Sequence, residues 1–238
     1  MYKGQKILAT ICARGGSKGV KNKNIRKLNG KPLICYTLDL VKKSKLIDDY
    51  VISTDSEDIM KVVKKYGFKI YFKRPAPLAG DKVHRTDAIK HAVLWMEKNK
   101  TGRSDIVVDL GVATPLKSVT DMENSIKMLV KYNLMNVFSV APCDRNPYYN
   151  MVEEINGRIS IVKKTKSNLK DRRDAPKVFN ANDGILVWKR DVLFSKELFF
   201  NKRSKMYIMP RERSVDIDEE SDFIYAEYLL KSGFIKKL

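Results

Sequence analysis

The sequence contains few of the residues that build disulfides, zinc sites and catalytic triads. It has three cysteines, Cys12, Cys35 and Cys143, which are far apart in the chain and odd in number. Neither a disulfide framework nor a zinc site is therefore expected, and a reducing cytoplasm is the predicted location. The two histidines, His84 and His91, fall on or beside one predicted helix. They favour a helix surface over a Ser-His-Asp triad.

Long apolar runs and blocks of like charge are also missing. No stretch approaches the ~20 apolar residues needed to cross a bilayer, and no apolar segment with a cleavage site predicts a secretory signal. Hydrophobic residues still make up 43% of the 238 residues, enough for a sizeable core. The net charge is +19, but the lysines are spread along the chain. This spread predicts a solvated basic surface, with an anionic substrate or incidental polyanion binding as the alternative, and no nucleic acid or membrane partner.

Short apolar runs alternate with amphipathic helical patterns through the first part of the chain. The alternation predicts an α/β fold with a mainly parallel, Rossmann-like sheet and helices on both faces. Such sheets bind ligands beyond the carboxyl ends of their strands. The predicted strands cover residues 6–12, 50–55, 68–72, 106–110 and 136–140, and the helices begin near residues 32, 56, 86 and 120. Residues 120–123, T-D-M-E, predict a capping box at the start of the fourth helix.

The pattern changes near Pro142. Asn156 and Gly157 stand between two strand-like runs, which predicts a β-hairpin with a two-residue turn. Such a hairpin is either a projecting dimerisation arm or a sheet edge, and the residues alone leave both open. Strands at 184–188 and 205–209 and a helix at 219–230 complete the predicted elements.

The loop after the first strand combines glycines with positive charge. Residues 13–19 read A-R-G-G-S-K-G, and Lys21 and Lys23 follow. Glycines let backbone N–H groups approach a ligand closely, and the cations can bind phosphate oxygens. Neither the Walker A motif nor the dinucleotide fingerprint is present. The loop therefore predicts a polyphosphate site, with a solvated basic turn as the alternative.

A pair of carboxylates lies near the end of the chain. Asp216 and Asp218 alternate with Val215 and Ile217, so an extended segment presents both carboxylates on one face. Mg²⁺ prefers a few carboxylates together with substrate phosphates and water. The alternative for Asp218 is the N-cap of the last helix. Together with the basic loop, the pair predicts phosphoryl or nucleotidyl transfer assisted by Mg²⁺.

Several motifs in one order resemble those of the acylneuraminate cytidylyltransferases, also called CMP-sialic acid synthetases. They are A-R-G-G-S-K-G followed by K-N-K-N, V-I-S-T-D at 51–55, R-P-A-P-L-A-G-D at 74–81, A-T-P-L at 113–116 and S-V-D-I-D at 214–218. The resemblance implies a homodimer that joins CTP to a nine-carbon 2-keto sugar acid, giving a CMP-sugar and pyrophosphate. It implies one nucleotidyltransferase domain at 1–238, with 141–178 as a small inserted dimerisation and sugar-binding arm that contains the hairpin.

The resemblance also implies roles for individual residues. Arg14 and Lys23 would neutralise phosphate charge during catalysis, and Asp218 would help to deprotonate the attacking hydroxyl. Asp216 and Asp218 would hold Mg²⁺. The nucleotide-binding residues would be Ala13, Arg14, Gly15, Ser17, Lys18, Asn24 and Arg74. The sugar-binding residues would be Gly111, Tyr149, Arg172, Asn182, Phe199 and Phe200.

The chain departs from the family pattern on the sugar side. Gly111 stands where the family often has a glutamine, Tyr149 where it has a lysine, and residues 82–86 replace a serine-rich stretch. R-N-P-Y-Y-N-M-V-E at 145–153 is similar to the branch that activates legionaminic acid for bacterial surface and flagellin glycans. The alternatives are the same chemistry on pseudaminic acid or a Kdo-like acid and, more remotely, an inactive basic protein that binds nucleic acid.

Overall fold

The computed structural model describes residues 1–17, 19–165 and 169–235. The strands are β1 (Ile7–Cys12), β2 (Lys27–Leu28), β3 (Lys31–Pro32), β4 (Asp49–Ser53), β5 (Ile106–Leu110), β6 (Asn136–Pro142), β7 (Val152–Ile155), β8 (Arg158–Ile161), β9 (Phe179–Lys189) and β10 (Ser204–Ile208). The α-helices are α1 (Leu33–Lys43), α2 (Glu57–Lys65), α3 (Arg85–Met96), α4 (Val119–Lys131), α5 (Arg190–Leu193) and α6 (Glu220–Lys231).

A six-stranded sheet in the order β10-β6-β9-β5-β1-β4 forms the centre of the fold. The pairs β1–β4, β1–β5 and β6–β10 are parallel. Strand β9 is antiparallel to both β5 and β6, so it alone runs against the others in this sheet. The predicted α/β class with a mainly parallel sheet is confirmed.

Alternation along β1 divides the core into two layers. Ile7, Ala9 and Ile11 pack with α1, α2, α4 and α6 on one face of the sheet. Leu8 points the other way and packs with α3 and α5. Because parallel strands are buried on both faces, they read as continuous apolar runs in the sequence. Helices therefore cover both faces, as predicted.

Two predicted helix starts require correction. Helix α4 begins with a capping box made by Ser118 and Asp121, two residues before the box predicted at Thr120. Helix α6 has Glu219 as its N-cap, within a box of its own. The alternative that Asp218 serves as this N-cap is wrong, so Asp218 is left in the extended segment that precedes the helix.

The strand predicted at 68–72 is absent. The Phe68 N–H donates to a helix carbonyl, and the Lys69 N–H donates to the Tyr50 hydroxyl at 3.0 Å. Phe72 packs against Trp95 of α3, with ring centroids 5.0 Å apart. Side-chain packing on a helix therefore replaces the ladder of backbone hydrogen bonds that the β-like composition predicted.

The predicted hairpin is present as the separate two-stranded sheet β7–β8. Its turn residues Asn156 and Gly157 have φ values of 53° and 76°, the left-handed conformation that a type I′ turn requires at both positions. The apolar side chains of Val152, Ile155 and Ile159 are exposed on it. The division into one domain and an arm at 141–178 stays a prediction.

Two further features of the described residues concern the cysteines and the length of the helices. Cys12, Cys35 and Cys143 are all free thiols. None of the helices in the described part of the chain is long and apolar enough to cross a membrane.

Candidate active site

A cavity of about 540 Å³ opens at the carboxyl ends of β1 and β5. The loop after β1 contributes Arg14 to its wall, Lys23 follows, and the segment before α6 contributes Asp216 and Asp218. Lys23 and Asp218 lie 195 residues apart in the sequence but form an ion pair at 3.1 Å. The basic loop and the acidic pair predicted from the sequence therefore form one site.

The loop after β1 is held by contacts with the end of β4. The Ala13 N–H donates to the Ser53 carbonyl at 3.0 Å, and the Gly15 N–H donates to the Asp55 carboxylate at 3.0 Å. The Asn24 side-chain amide donates to the Arg14 carbonyl at 2.9 Å and closes the loop from the other side. Ser17 lines the cavity, whereas Lys18 lies outside the described residues.

Two predicted nucleotide-binding arginines occupy different environments. Arg14 reaches the surface, where its guanidinium pairs with Asp81 at 2.8 Å. Arg74 is buried, and its guanidinium donates to the hydroxyl and carbonyl oxygens of Ser53 at 2.9 and 2.6 Å. Both line a smaller neighbouring cavity of about 290 Å³. Arg74 thus fixes the end of β4 behind the loop and lines this side cavity.

The loop and the acidic segment touch directly. The Lys23 ammonium donates to the Ile217 carbonyl as well as to Asp218. A Cβ atom added at Gly19 would lie 1.9 Å from the Asp218 carbonyl oxygen. Only glycine allows the two backbones to come this close. Gly19 is therefore needed for the contact between the loop and the acidic segment, as well as for any close approach of a ligand.

One oxygen of the Asp216 carboxylate, Oδ1, is buried and accepts no hydrogen bond from the described residues. Burial, followed by repulsion from Asp218, raises the pKa of Asp216 to about 6. Two adjacent carboxylates that repel in this way form an arrangement that a cation would stabilise.

The acidic segment has further anchors besides Lys23. Arg213 donates to both carboxylate oxygens of the buried Asp121, at 2.9 and 2.8 Å. The Ile217 N–H donates to the Ala113 carbonyl at 2.9 Å. These contacts hold the backbone from which Asp216 and Asp218 project.

Three polar residues at or behind the cavity wall escaped the sequence-based predictions, namely Arg85, Asp183 and Lys117. Arg85 pairs with the fully buried Asp109 at 2.5 Å, and Asp109 also accepts from the Thr10 hydroxyl at 2.7 Å. Asp183 lines the cavity in a left-handed conformation, with φ of 46°. An Asp-Gly dipeptide inside a strand pattern was the one available signal, because it marks a turn or bulge.

Lys117 is the third of these residues and is completely buried. Its ammonium donates to the carbonyls of Gly111 and Thr114 at 2.5 and 2.7 Å and lies 3.3 Å from the Thr37 hydroxyl. Burial and the nearby Arg85 charge lower the pKa of Lys117 to about 7. Lys117 therefore fixes the turn after β5 from the buried interior of the protein. No sequence motif indicated this role.

Two of the predicted sugar-binding residues lie at or next to the cavity. Gly111 lines it, and a Cβ atom there would lie 2.3 Å from the Asp183 carbonyl oxygen. This packing explains why the glutamine common in the family cannot stand at this position. Asn182 is buried and lines an adjoining depression of about 500 Å³ that shares Asp216 with the cavity.

The other four predicted sugar-binding residues lie elsewhere on the same copy of the chain. Tyr149 is exposed, and Arg172 lines a depression of about 700 Å³ near the base of the hairpin. Phe199 packs on Trp188 with ring centroids 6.3 Å apart, and Phe200 is 84% exposed. None of these four lines the cavity.

Comparison with known proteins identifies the class of enzyme. A family model described as cytidylyltransferase matches residues 8–231. The chain belongs to the cytidylyltransferase family. The predicted nucleotidyltransferase class is thereby confirmed, and the cavity with its basic loop and acidic pair is the candidate active site of this cytidylyltransferase.

Individual relatives align along nearly the whole chain. A post-translational flagellin modification protein B of Campylobacter coli is 40% identical over 94% of this chain and 95% of its own. A CMP-N,N'-diacetyllegionaminic acid synthase of Campylobacter jejuni is 39% identical over 94% of each chain. A CMP:2-keto-3-deoxy-manno-octonic acid synthetase solved with CTP has a TM-score of 0.70 at 16% identity, over 95% of this chain and 99% of its own. This last likeness shows the fold alone.

Proposed function

We propose that this cytidylyltransferase activates a nine-carbon 2-keto sugar acid of the legionaminic acid type with CTP. The products are the CMP-sugar and pyrophosphate, for bacterial surface glycans or flagellin glycosylation. The observation that carries the proposal is the meeting of Arg14 and Lys23 with Asp216 and Asp218 in one cavity. Cations suited to a triphosphate thus face carboxylates suited to its metal.

In the proposed reaction the anomeric hydroxyl of the sugar attacks the α-phosphorus of CTP. The new phosphorus–oxygen bond forms as the bond to the pyrophosphate oxygen breaks, and the Asp218 carboxylate accepts the proton of the attacking hydroxyl. Arg14 and Lys23 neutralise charge that moves onto the departing oxygens, which is the principal contribution a protein makes to such transfers. Asp218 is 75% exposed on its side chain and is open to the attacking hydroxyl. Ala13, Gly15, Ser17 and Asn24 shape the loop around the triphosphate.

The residues present suit Mg²⁺. The unpartnered, buried Oδ1 of Asp216 and the raised pKa of this carboxyl, beside Asp218, indicate a site for a cation. The described residues contain no cluster of three or more Asp, Glu, His or Cys side chains able to hold a metal. Two carboxylates supplemented by substrate phosphates are what Mg²⁺ commonly uses. A bound Mg²⁺ would supply charge neutralisation at the phosphates.

The proposal includes a homodimer. The apolar side chains that β7–β8 exposes support a role for this hairpin as the dimerisation arm. Tyr149 and Arg172, which do not line the cavity of their own chain, would then contact the sugar bound by the partner. Phe199 and Phe200 would line the pocket for the acyl group of the sugar. The predicted cytoplasmic location stays a prediction.

Identity of the acceptor is supported by the 39% identity to the CMP-N,N'-diacetyllegionaminic acid synthase along 94% of both chains. The test is pyrophosphate release with CTP and Mg²⁺ across N-acetylneuraminic, diacetyllegionaminic, pseudaminic and Kdo acids. We expect release with diacetyllegionaminic acid that EDTA abolishes. A clear preference for another acid would change the proposed acceptor but leave the proposed reaction unchanged. Absence of both turnover and CTP binding would refute the proposal.

A further inference from the structure

A bulge in β9 brings one acidic residue to the cavity. Between the pairs Phe138–Leu186 and Val140–Ala181, β6 advances two residues while β9 advances five. Asp183 is one of the extra residues of β9. It lines the cavity and has a φ of 46°. Bulges in sheets often turn a side chain toward a functional site. A left-handed conformation at a residue other than glycine persists where its surroundings impose it.

Buried polar side chains stabilise the bulge. The Ser139 hydroxyl donates to the Asn182 Oδ1 atom at 2.5 Å, and the same oxygen accepts from the Gly184 N–H at 3.1 Å. The Ile185 N–H in turn donates to the Ser139 hydroxyl oxygen at 2.9 Å. Because polar side chains replace the missing ladder hydrogen bonds, the core fixes the conformation of the bulge.

The backbone of Asp183 is held from two further sides. The Arg85 guanidinium donates to its carbonyl oxygen at 3.3 Å, and Arg85 is itself paired with the buried Asp109. Gly111 packs so closely on the same carbonyl that a Cβ atom there would lie 2.3 Å away. With its carbonyl fixed between Arg85 and Gly111, the residue keeps its carboxylate at the cavity.

The carboxylate of Asp183 has no protein partner. It is exposed, and it makes neither a hydrogen bond nor an ion pair with any described residue. An unpaired carboxylate repels phosphate and binds hydroxyl or N–H donors. Strand β5 lies between β9 and β1, so these two strands are about 10 Å apart at the usual strand spacing. A substrate region that carries neutral donors rather than phosphate suits this position.

We propose that Asp183 is a specificity-determining residue that accepts hydrogen bonds from hydroxyl or acylamino N–H groups of the acceptor sugar. The inference rests on the proposed function, since it assigns the acceptor side of that same site. In this proposal Gly111 and Arg85 are positioning residues, because both hold the Asp183 backbone.

Asp183→Gly tests the assignment, because glycine adopts the left-handed conformation freely and removes only the carboxylate. We expect the KM for the sugar acid to rise about tenfold or more, from the loss of a charge-assisted hydrogen bond. The KM for CTP should change less than about twofold. Asn29→Gly is the matched control, since Asn29 is exposed in a remote turn with φ of 45°. Both variants should keep or raise the melting temperature.

The outcomes separate the two proposals. A wild-type protein without CTP-dependent pyrophosphate release would contradict the proposed function itself. In an active wild type, an unchanged sugar KM in Asp183→Gly would overturn the inference and leave Asp183 as a tolerated turn residue. A rise confined to the KM for CTP would also overturn it, because Asp183 would then contact the nucleotide.

Discussion

The loop after β1 and the bulge in β9 face the same cavity but are fixed by different means. On the loop side, Ala13 and Gly15 are held by backbone and side-chain contacts with the end of the adjacent strand β4. On the bulge side, Asn182 and Ser139 form a buried polar network, and the backbone of Asp183 lies directly on Gly111. The loop side presents several residues of one contiguous motif to the cavity, whereas the bulge side presents the single side chain of Asp183. The loop side therefore tolerates little change in its motif, and the bulge side can change its ligand contacts by changing one residue.

The largest expected effect is at the boundary between the two sides, on the acidic segment. Asp218→Asn should reduce turnover about 100-fold or more, since the proposed Mg²⁺ would supply charge stabilisation of several kcal/mol. The fold should be unaffected, because the Asp218 side chain is 75% exposed. Pyrophosphate release and melting temperature check both statements. The control is Glu220→Gln, which should keep turnover. Glu220 is an exposed carboxylate close by in the sequence and pairs with Arg26. Near-normal turnover in Asp218→Asn would refute the metal assignment.

On the loop side, Lys23→Ala should reduce kcat about tenfold or more while changing the KM for CTP less. The reason is that a cation acting on departing phosphate oxygens interacts most strongly in the transition state. Steady-state kinetics at varied CTP measure the two effects separately. Lys23→Arg keeps the charge and should recover part of the rate. A change restricted to CTP affinity would instead give Lys23 a binding role alone.

On the bulge side, Gly111→Ala should destabilise the protein by about 1–3 kcal/mol, because the new Cβ atom must displace backbone at Asp183. The same displacement should raise the sugar KM more than the CTP KM. Urea unfolding measures the stability. Gly80→Ala is the matched control, since its Cβ would only touch Val83 at 3.7 Å. Equal stability of the two variants would show that the Gly111 contact relaxes without cost.

The same contrast explains what could be predicted from the sequence. The basic loop and the Asp216–Asp218 pair were predictable because each is a short motif whose geometry follows from local backbone structure. The alternating elements indicated the sheet because burial on both faces leaves continuous apolar runs. The strand expected at 68–72 failed because packing against α3 overrode its β-like composition.

The environments of Lys117, Arg85 and Asp183 were beyond sequence reasoning for a different reason. Lys117 is surrounded by oxygens of Thr37, Gly111 and Thr114, and Thr37 lies 80 residues away in sequence. Lysine is almost always exposed, so nothing in its neighbours along the chain marks it as buried. Each of these residues derives its role from tertiary contacts that only the folded chain brings together.

Lys117 supplies a pH-dependent effect and a test of how firmly the turn at Gly111 is held. The pKa of this lysine falls to about 7 in the folded protein, from an ordinary value of 10.5. Between these values the unfolded chain carries a proton that the folded chain lacks, so the free energy of unfolding should rise with pH. The slope is at most about 1.4 kcal/mol per pH unit for one proton. As the pH falls through about 7, this contribution is lost.

Comparison with Lys117→Met isolates this contribution. Urea unfolding at two pH values above 7 should show the wild type gaining stability relative to Lys117→Met as the pH rises. Lys61→Met removes an exposed lysine and should differ from wild type equally at both pH values. A constant difference for Lys117→Met would mean that the ammonium keeps its proton throughout. In that case the three oxygen acceptors outweigh burial, and the turn that supports the bulge is held by a permanently charged group.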